Sequence, residues 1–326
     1  MNIAITGASG FIGEKLSWYL QRSGSDVIAL VRSKEKEKNL NKIGLRTRVC
    51  DITNVSSLKD AFQGINIVVH LAALFNNPEA SWDYYHLVNV EGTRNVLETA
   101  VASNIERVIH CSTIGVAIGN GHLPYSEKTP YSPASWDKYE VTKCMAEKLA
   151  IEYNKNLGLP VVIIRPAQVY GPGDSRKAKF YRMVKKGIIV NPGKTVKHLI
   201  YIDDLCRAFQ LAMGNDKAIG EVYIIAGERT ISMKELILLA AQELGVPPPK
   251  IVLPATPITW ACAATENLFN FMGKKPPLFR RSMDFFTKTV EFDTSKARMQ
   301  LGFSSTVSVR DGVRETISWY RENGYL

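Results

Sequence analysis

Asn2-Ile3-Ala4-Ile5-Thr6-Gly7-Ala8-Ser9-Gly10-Phe11-Ile12-Gly13 is a short β-type run that passes directly into a glycine-rich turn. Leu16, Tyr19 and Leu20 follow at helical spacing, so the stretch reads as a strand, a turn and a helix that begins inside the turn. Gly7 allows a tight turn, Gly10 lets a pyrophosphate approach the backbone, and Gly13 lets the helix pack on the strand. The first N–H groups of that helix and its dipole then face the phosphates. Ser9, Phe11 and Ile12 are counted with the three glycines as cofactor-binding candidates. The spacing, Gly-x-x-Gly-x-x-Gly, is one residue wider at its start than the common dinucleotide fingerprint.

Working outward, Asp26 to Val31 is a second strand that runs into Arg32-Ser33-Lys34. An acidic residue at this strand end would bind a ribose 2′-hydroxyl, whereas Arg32 suits a 2′-phosphate, with Ser33 and Lys34 as helpers. NADP is therefore favoured over NAD. Arg46 to Cys50 gives a third strand, after which Asp51 is placed to hydrogen-bond the adenine amine, with Ile52 beside it. Ile65 to Leu71 is nearly all apolar, as a strand buried on both faces requires. It delivers Leu71-Ala72-Ala73, whose small residues admit close approach of a cofactor. A helix from about Val90 to Ala102, a strand from Arg107 to Cys111 and then Ser112-Thr113 continue the alternation. That alternation predicts an α/β fold, a Rossmann-type doubly wound parallel sheet with right-handed crossovers. A hydroxyl at the carboxyl end of such a strand lies where ligands bind.

Tyr139-Glu140-Val141-Thr142-Lys143 places a phenol and an ammonium one helical turn apart, on one face. A phenol leaves its proton only near pH 10, and a nearby cation lowers that value, which makes Tyr139 a candidate proton shuttle for an alcohol or carbonyl.

The 326 residues are 45% hydrophobic and 22% charged, enough to bury a core and long enough for a large domain with an appended lobe. The net charge of +10 is scattered apart from Arg32 to Lys38 and short basic pairs, which gives no nucleic-acid groove. Five cysteines lie far apart without a Cys-x-x-Cys pair and read as reduced, buried thiols of a cytoplasmic protein. His70, His86, His110, His122 and His198 lack ligand spacing, so no metal is expected. The N-terminus opens into a strand without a charged leader, and no apolar stretch reaches bilayer-spanning length.

Together these pieces resemble an extended (atypical) short-chain dehydrogenase/reductase, the superfamily of nucleotide-sugar epimerases, dihydroflavonol reductases and 3β-hydroxysteroid dehydrogenases. The matching stretches are Thr6 to Gly13, His70 to Ala73, Asn89-Val90-Glu91-Gly92-Thr93, Cys111-Ser112-Thr113, Tyr139 to Lys143 and Arg165-Pro166-Ala167-Gln168-Val169-Tyr170-Gly171-Pro172-Gly173. The resemblance implies that Thr113, with Ser112 as the fallback, hydrogen-bonds the substrate oxygen while Tyr139 exchanges a proton with it. It implies that Lys143 lowers the Tyr139 pKa and binds the nicotinamide ribose. Asn89 is expected to shape the site or to fix a loop, and Pro166 with Ala167 to line the nicotinamide pocket. Sugar dehydratases of the superfamily carry an acidic pair just after the catalytic Thr, where this chain has Ile114 and Gly115, so dehydration is disfavoured.

The resemblance also divides the chain into a cofactor domain, 1–172, and a smaller, interleaved substrate lobe, 173–326, with about 196–226 returning to the first. Pro160 to Arg165 and Gly220 to Ala226 are expected strands, and Asp203 or Asp204 an expected helix cap. Ser232 is expected to cap a helix over 232–244. Arg176, Lys177, Lys179 and Arg182 are either contacts for a nucleotide diphosphate or a solvated face. Pro257 to Phe271 carries Ile258, Trp260, Ala261, Ala264, Leu268 and Phe271 at near-helical spacing, with Pro276-Pro277-Leu278-Phe279 beyond. It reads as lobe core, or as an apolar lid with a possible peripheral membrane contact. The expected function is an NAD(P)-dependent oxidoreductase for a lipophilic secondary alcohol or ketone. A nucleotide-sugar 4-epimerase is the alternative, and a non-catalytic dinucleotide sensor ranks below both. A homodimer through the helices near 90–102 and 139–154 is implied by the resemblance only.

Overall fold

The first strand and the helix behind it fall where the opening stretch puts them: β1 spans Asn2–Thr6 and α1 spans Phe11–Arg22. The structure is a computed structural model that describes residues 1–77, 79–119, 121, 123–271 and 280–326. The alternation continues through β2 (Asp26–Val31), α2 (Lys34–Lys42), β3 (Thr47–Val49), α3 (Val55–Ala61) and β4 (Ile67–His70). It is followed by α4 (Trp82–His86), a π-helical turn over Leu87–Glu91, α5 (Gly92–Ala102), β5 (Arg107–Cys111), α6 (Lys138–Leu157) and β6 (Val161–Pro166). The chain then forms β7 (Gln168–Tyr170), α7 (Ala178–Lys185), β8 (Ile188–Val190), β9 (Val196–Lys197), β10 (Leu199–Tyr201), α8 (Ile202–Gly214) and β11 (Val222–Ile225).

Seven strands make one sheet in the order β11-β6-β5-β4-β1-β2-β3, with every pairing parallel. The direction of winding reverses between β1 and β4, which opens a crevice at their carboxyl ends. Strands β4, β5 and β6 are buried along their whole length because helices cover both faces. Ile3 and Ile5 join the core beneath α1 and α8 with Leu16, Leu20, Leu205 and Phe209. The intervening Ala4 turns to the other face, toward Leu58, Val96, Leu97 and Tyr153 of α3, α5 and α6.

The remaining elements are β12 (Ile231–Ser232), α9 (Met233–Leu244), β13 (Ile251–Leu253), α10 (Ala255–Phe271), α11 (Arg280–Thr287), α12 (Ser295–Leu301) and α13 (Val309–Glu322). Ser232 caps α9 by accepting from the Glu235 N–H at 3.1 Å. Three local expectations are corrected. Helical structure near residue 90 starts at Trp82, because Ser81 caps α4 and the π turn inserts a residue that breaks the 3.6-residue spacing. Neither Asp203 nor Asp204 caps α8, whose N-cap position is Tyr201 without a side-chain bond. Asp203 pairs with Lys15 at 2.9 Å, and the buried Asp204 carboxylate accepts from Ser305, Thr306 and Val307, tying α8 to the C-terminal segment. In α10, Ile258 packs against the core and Cys262 is buried, whereas Trp260 is 72% exposed and Ala261 and Ala264 are exposed with it, so these three are not lobe core. Pro276 to Phe279, the basic pair Lys274-Lys275 and His122 lie outside the described residues.

Candidate active site

The crevice at the switch point is shaped by glycines that cannot be replaced without collision. Gly7 has φ +70°, and a Cβ there would stand 2.7 Å from the Ala72 nitrogen. A Cβ on Gly13 would stand 2.3 Å from the Gly7 carbonyl oxygen. These two contacts hold α1 against β1 and the β1 turn against Leu71-Ala72, while the Thr6 hydroxyl accepts from the Ala72 N–H at 3.2 Å. Gly10 occupies the N-cap of α1 with no side-chain cap, and Ser9 and Gly10 are exposed, with Phe11 and Ile12 half-buried behind them. An uncapped helix start beneath open space, with no Cβ in the way, fits a dinucleotide diphosphate.

Arg32 is exposed at the end of β2 and donates to the Tyr84 hydroxyl of α4 at 3.2 Å. Ser33 caps α2 by accepting from the Lys36 N–H. The Asp51 carboxylate closes a local turn by accepting from the Thr53 N–H at 2.9 Å and hydroxyl at 2.8 Å. Ile52 is buried under Gly92, where a Cβ would lie 2.7 Å from its Cδ1, so its part is to seat α5. Asn89 lies in the π turn at 1% exposure. Its side chain accepts from the Leu74 N–H at 2.6 Å and donates to the Leu74 carbonyl and the Thr142 hydroxyl, which fixes the chain after β4 through Leu71, Ala72 and Ala73. Pro166 ends β6 opposite Ile225 of β11, and the Ala167 N–H bonds the Ile225 carbonyl.

Asp137 caps α6 by accepting from the N–H groups of Tyr139 and Glu140, which puts Tyr139 in the first turn. The half-buried Tyr139 ring meets Phe75 edge-to-face, with centroids 4.8 Å apart. One turn on, Lys143 is 3% exposed and donates to the Cys111 carbonyl at the end of β5 at 2.7 Å. Burial pulls its pKa down, opposed by the Cys111 thiol and the Glu147 carboxylate. Thr113, two residues beyond that carbonyl, is partly exposed, and its oxygen accepts from the Gly115 N–H at 3.2 Å. Ser112 points elsewhere and donates to Glu147. Glu147, a turn beyond Lys143, is sealed in the interior and receives Arg165 Nε and Nη2 at 3.1 and 2.5 Å and the Tyr131 hydroxyl at 2.7 Å. The β4 and β5 neighbours His70 and His110 lie under this layer with rings 5.5 Å apart. Burial, aided by Lys143, pushes His70 down to about 3, and its nitrogens meet the Thr6 and Thr93 hydroxyls.

Above the glycine turn, Arg176 lies across Phe11 and Phe75, with its guanidinium carbon 5.5 and 5.3 Å from the two ring centroids. Lys177 by contrast turns inward to the Val169 carbonyl and Asp174, whereas Lys179 and Arg182 are exposed. Phe75, Tyr84, Glu147 and Asp174 were not singled out from the sequence. Glu147 had a legible signal, since 139, 143 and 147 recur at one helical turn. Among the described residues no His/Cys/Asp/Glu group could hold a metal ion, and no helix is long and apolar enough to cross a membrane. All five cysteines are buried and free.

Residues 3–226 match the model of the NAD dependent epimerase/dehydratase family, and the chain belongs to that family. It is 30% identical over 288 residues to a 3β-hydroxysteroid-dehydrogenase/decarboxylase, isoform 1, of Arabidopsis thaliana, covering 82% of this chain but only 65% of that relative's length. It is 29% identical over 328 residues to a UDP-glucose 4-epimerase of Vibrio cholerae, covering 97% of this chain and 94% of the relative. The structure resembles that of a UDP-glucuronic acid 4-epimerase from Bacillus cereus in complex with NAD, with a TM-score of 0.79, 27% identity and 99% of each chain covered.

Proposed function

We propose that this member of the epimerase/dehydratase family is an NAD(P)-dependent oxidoreductase that moves a hydride between nicotinamide and a secondary alcohol or ketone of a lipophilic, hydroxysteroid- or dihydroflavonol-like compound. The observation that carries the reading is Lys143, drawn against the Cys111 carbonyl one helical turn from Tyr139 and two residues before Thr113. The nicotinamide supplies the hydride donor or acceptor when bound. Tyr139 passes the proton to or from the substrate oxygen, and Lys143 favours its ionised form and reaches the nicotinamide ribose. Thr113 orients the substrate oxygen: its own oxygen is held by the Gly115 N–H, so its O–H is left to donate. Ser112 is spent on Glu147 and does not take that part.

Gly7, Gly10 and Gly13 with Ser9, Phe11 and Ile12 receive the diphosphate, and Leu71, Ala72, Ala73 and Pro166 line the path to the nicotinamide. Arg32, exposed and braced by Tyr84, favours NADP through its match to a 2′-phosphate. A second reading, a nucleotide-sugar 4-epimerase, is supported by the near full-length likeness to the Vibrio cholerae epimerase. One experiment separates the two: hydroxysteroids, dihydroflavonols and UDP-sugars are offered with each nicotinamide, and absorbance at the reduced nicotinamide band is followed. An oxidoreductase changes that absorbance stoichiometrically with product, whereas an epimerase forms product with no net change.

A further inference from the structure

The substrate lobe sends one side chain onto the cofactor turn. After β7 the chain passes Gly173, where a Cβ would lie 3.3 Å from the Phe11 ring, so this segment rests on the first residue of α1. Three residues on, the Arg176 guanidinium lies over Phe11 on one side and Phe75 on the other. Phe75 in turn meets Tyr139, so Phe11, Arg176, Phe75 and Tyr139 form a row from the glycine turn to the proposed proton donor.

Stacking uses the faces of a guanidinium and leaves its in-plane N–H donors available. Only Nε of Arg176 is engaged, donating to Asp174 at 2.6 Å, and neither terminal nitrogen has a hydrogen-bond partner among the described residues. Asp174 is itself fixed: its carboxylate is 1% exposed, Lys177 pairs with it at 3.2 Å, and Tyr320 of α13 bonds its carbonyl at 2.5 Å. The arginine is therefore held from behind and open at its tip, beside a helix start whose own phosphate donors are backbone N–H groups.

We propose that Arg176 is a cofactor-binding residue that clasps the diphosphate from the substrate-lobe side. The inference rests on the dinucleotide reading given above. A nucleotide-sugar substrate would carry the same diphosphate chemistry, so both sources enter the test. Titration calorimetry of the full chain is run with NADP, NAD and UDP-glucose on the unchanged protein, on Arg176→Met, which keeps an apolar stem against the two rings, and on Arg176→Lys. The expected result is about a tenfold weaker dissociation constant for the dinucleotides in Arg176→Met, as loss of a charge-assisted bond implies. Arg176→Lys should recover part of that loss, because the charge returns without the planar fork. The unfolding midpoint of each variant checks that the fold is kept. Dinucleotide affinity unchanged in Arg176→Met, or a loss confined to UDP-glucose, overturns the clasp alone. Failure of the unchanged protein to bind either dinucleotide overturns the cofactor reading, and the clasp with it.

Discussion

Two cations face the site, and their surroundings differ. Lys143, on the floor, is 3% exposed, bonded to a strand-end carbonyl and backed by a network of buried Ser112, Glu147 and Arg165 with the half-buried Tyr131. Arg176, on the roof, has a side chain 46% exposed and held by two ring faces and one carboxylate. The floor spends its polar groups on one another, which fixes the chemistry in position before any ligand arrives. The roof keeps donors in reserve, which suits binding and release. Damage to the floor should therefore appear as lost turnover or lost stability, and damage to the roof as weakened affinity.

The largest effect is expected from Tyr139→Phe, which removes the proposed proton shuttle while keeping the ring against Phe75. Turnover should fall roughly 10²- to 10⁴-fold with dinucleotide affinity unchanged by calorimetry, and an undiminished rate would remove Tyr139 from the chemistry. Next comes Glu147→Leu, which strands the buried Arg165 charge and leaves the Ser112 and Tyr131 hydroxyls without their acceptor. Denaturant unfolding should show a loss of about 3–5 kcal/mol. A loss under about 1 kcal/mol would mean that the floor is not built on this ion pair. Smallest is Arg32→Ala at the proposed 2′-phosphate contact, where about a tenfold drop in preference for NADP over NAD is expected from the ratio of kcat/KM values. An NAD preference already present in the unchanged protein, and kept in the variant, would assign Arg32 to the solvated face alone.

Much of the parallel sheet was legible because parallel strands buried on both faces must be short apolar runs, and because close packing at a turn demands glycine. β1, β2 and β5 begin and end where residues 2–6, 26–31 and 107–111 suggested. The helix before β5 was less legible, since a π turn shifts the apolar spacing that a 3.6-residue period reads. In α10 the spacing gave the helix but not which of its apolar residues are buried. Alanines and a tryptophan satisfy either side, and Trp260 ended in solvent.

The sequence by itself determined the alternation of strands and helices, the glycine turn and the Tyr139–Lys143 spacing, because each depends on residues within a turn or two of one another. Only the tertiary structure gave the Ser112 hydroxyl to Glu147, sent Asp204 to the C-terminal segment rather than to a helix cap, and laid Arg176 across Phe11 and Phe75. These are contacts between distant parts of the chain: Ser112 finds Glu147 35 residues away, and Asp204 finds Thr306 102 residues away. A side chain's partner at such a range is set by which elements pack together, and local spacing carries no record of that choice.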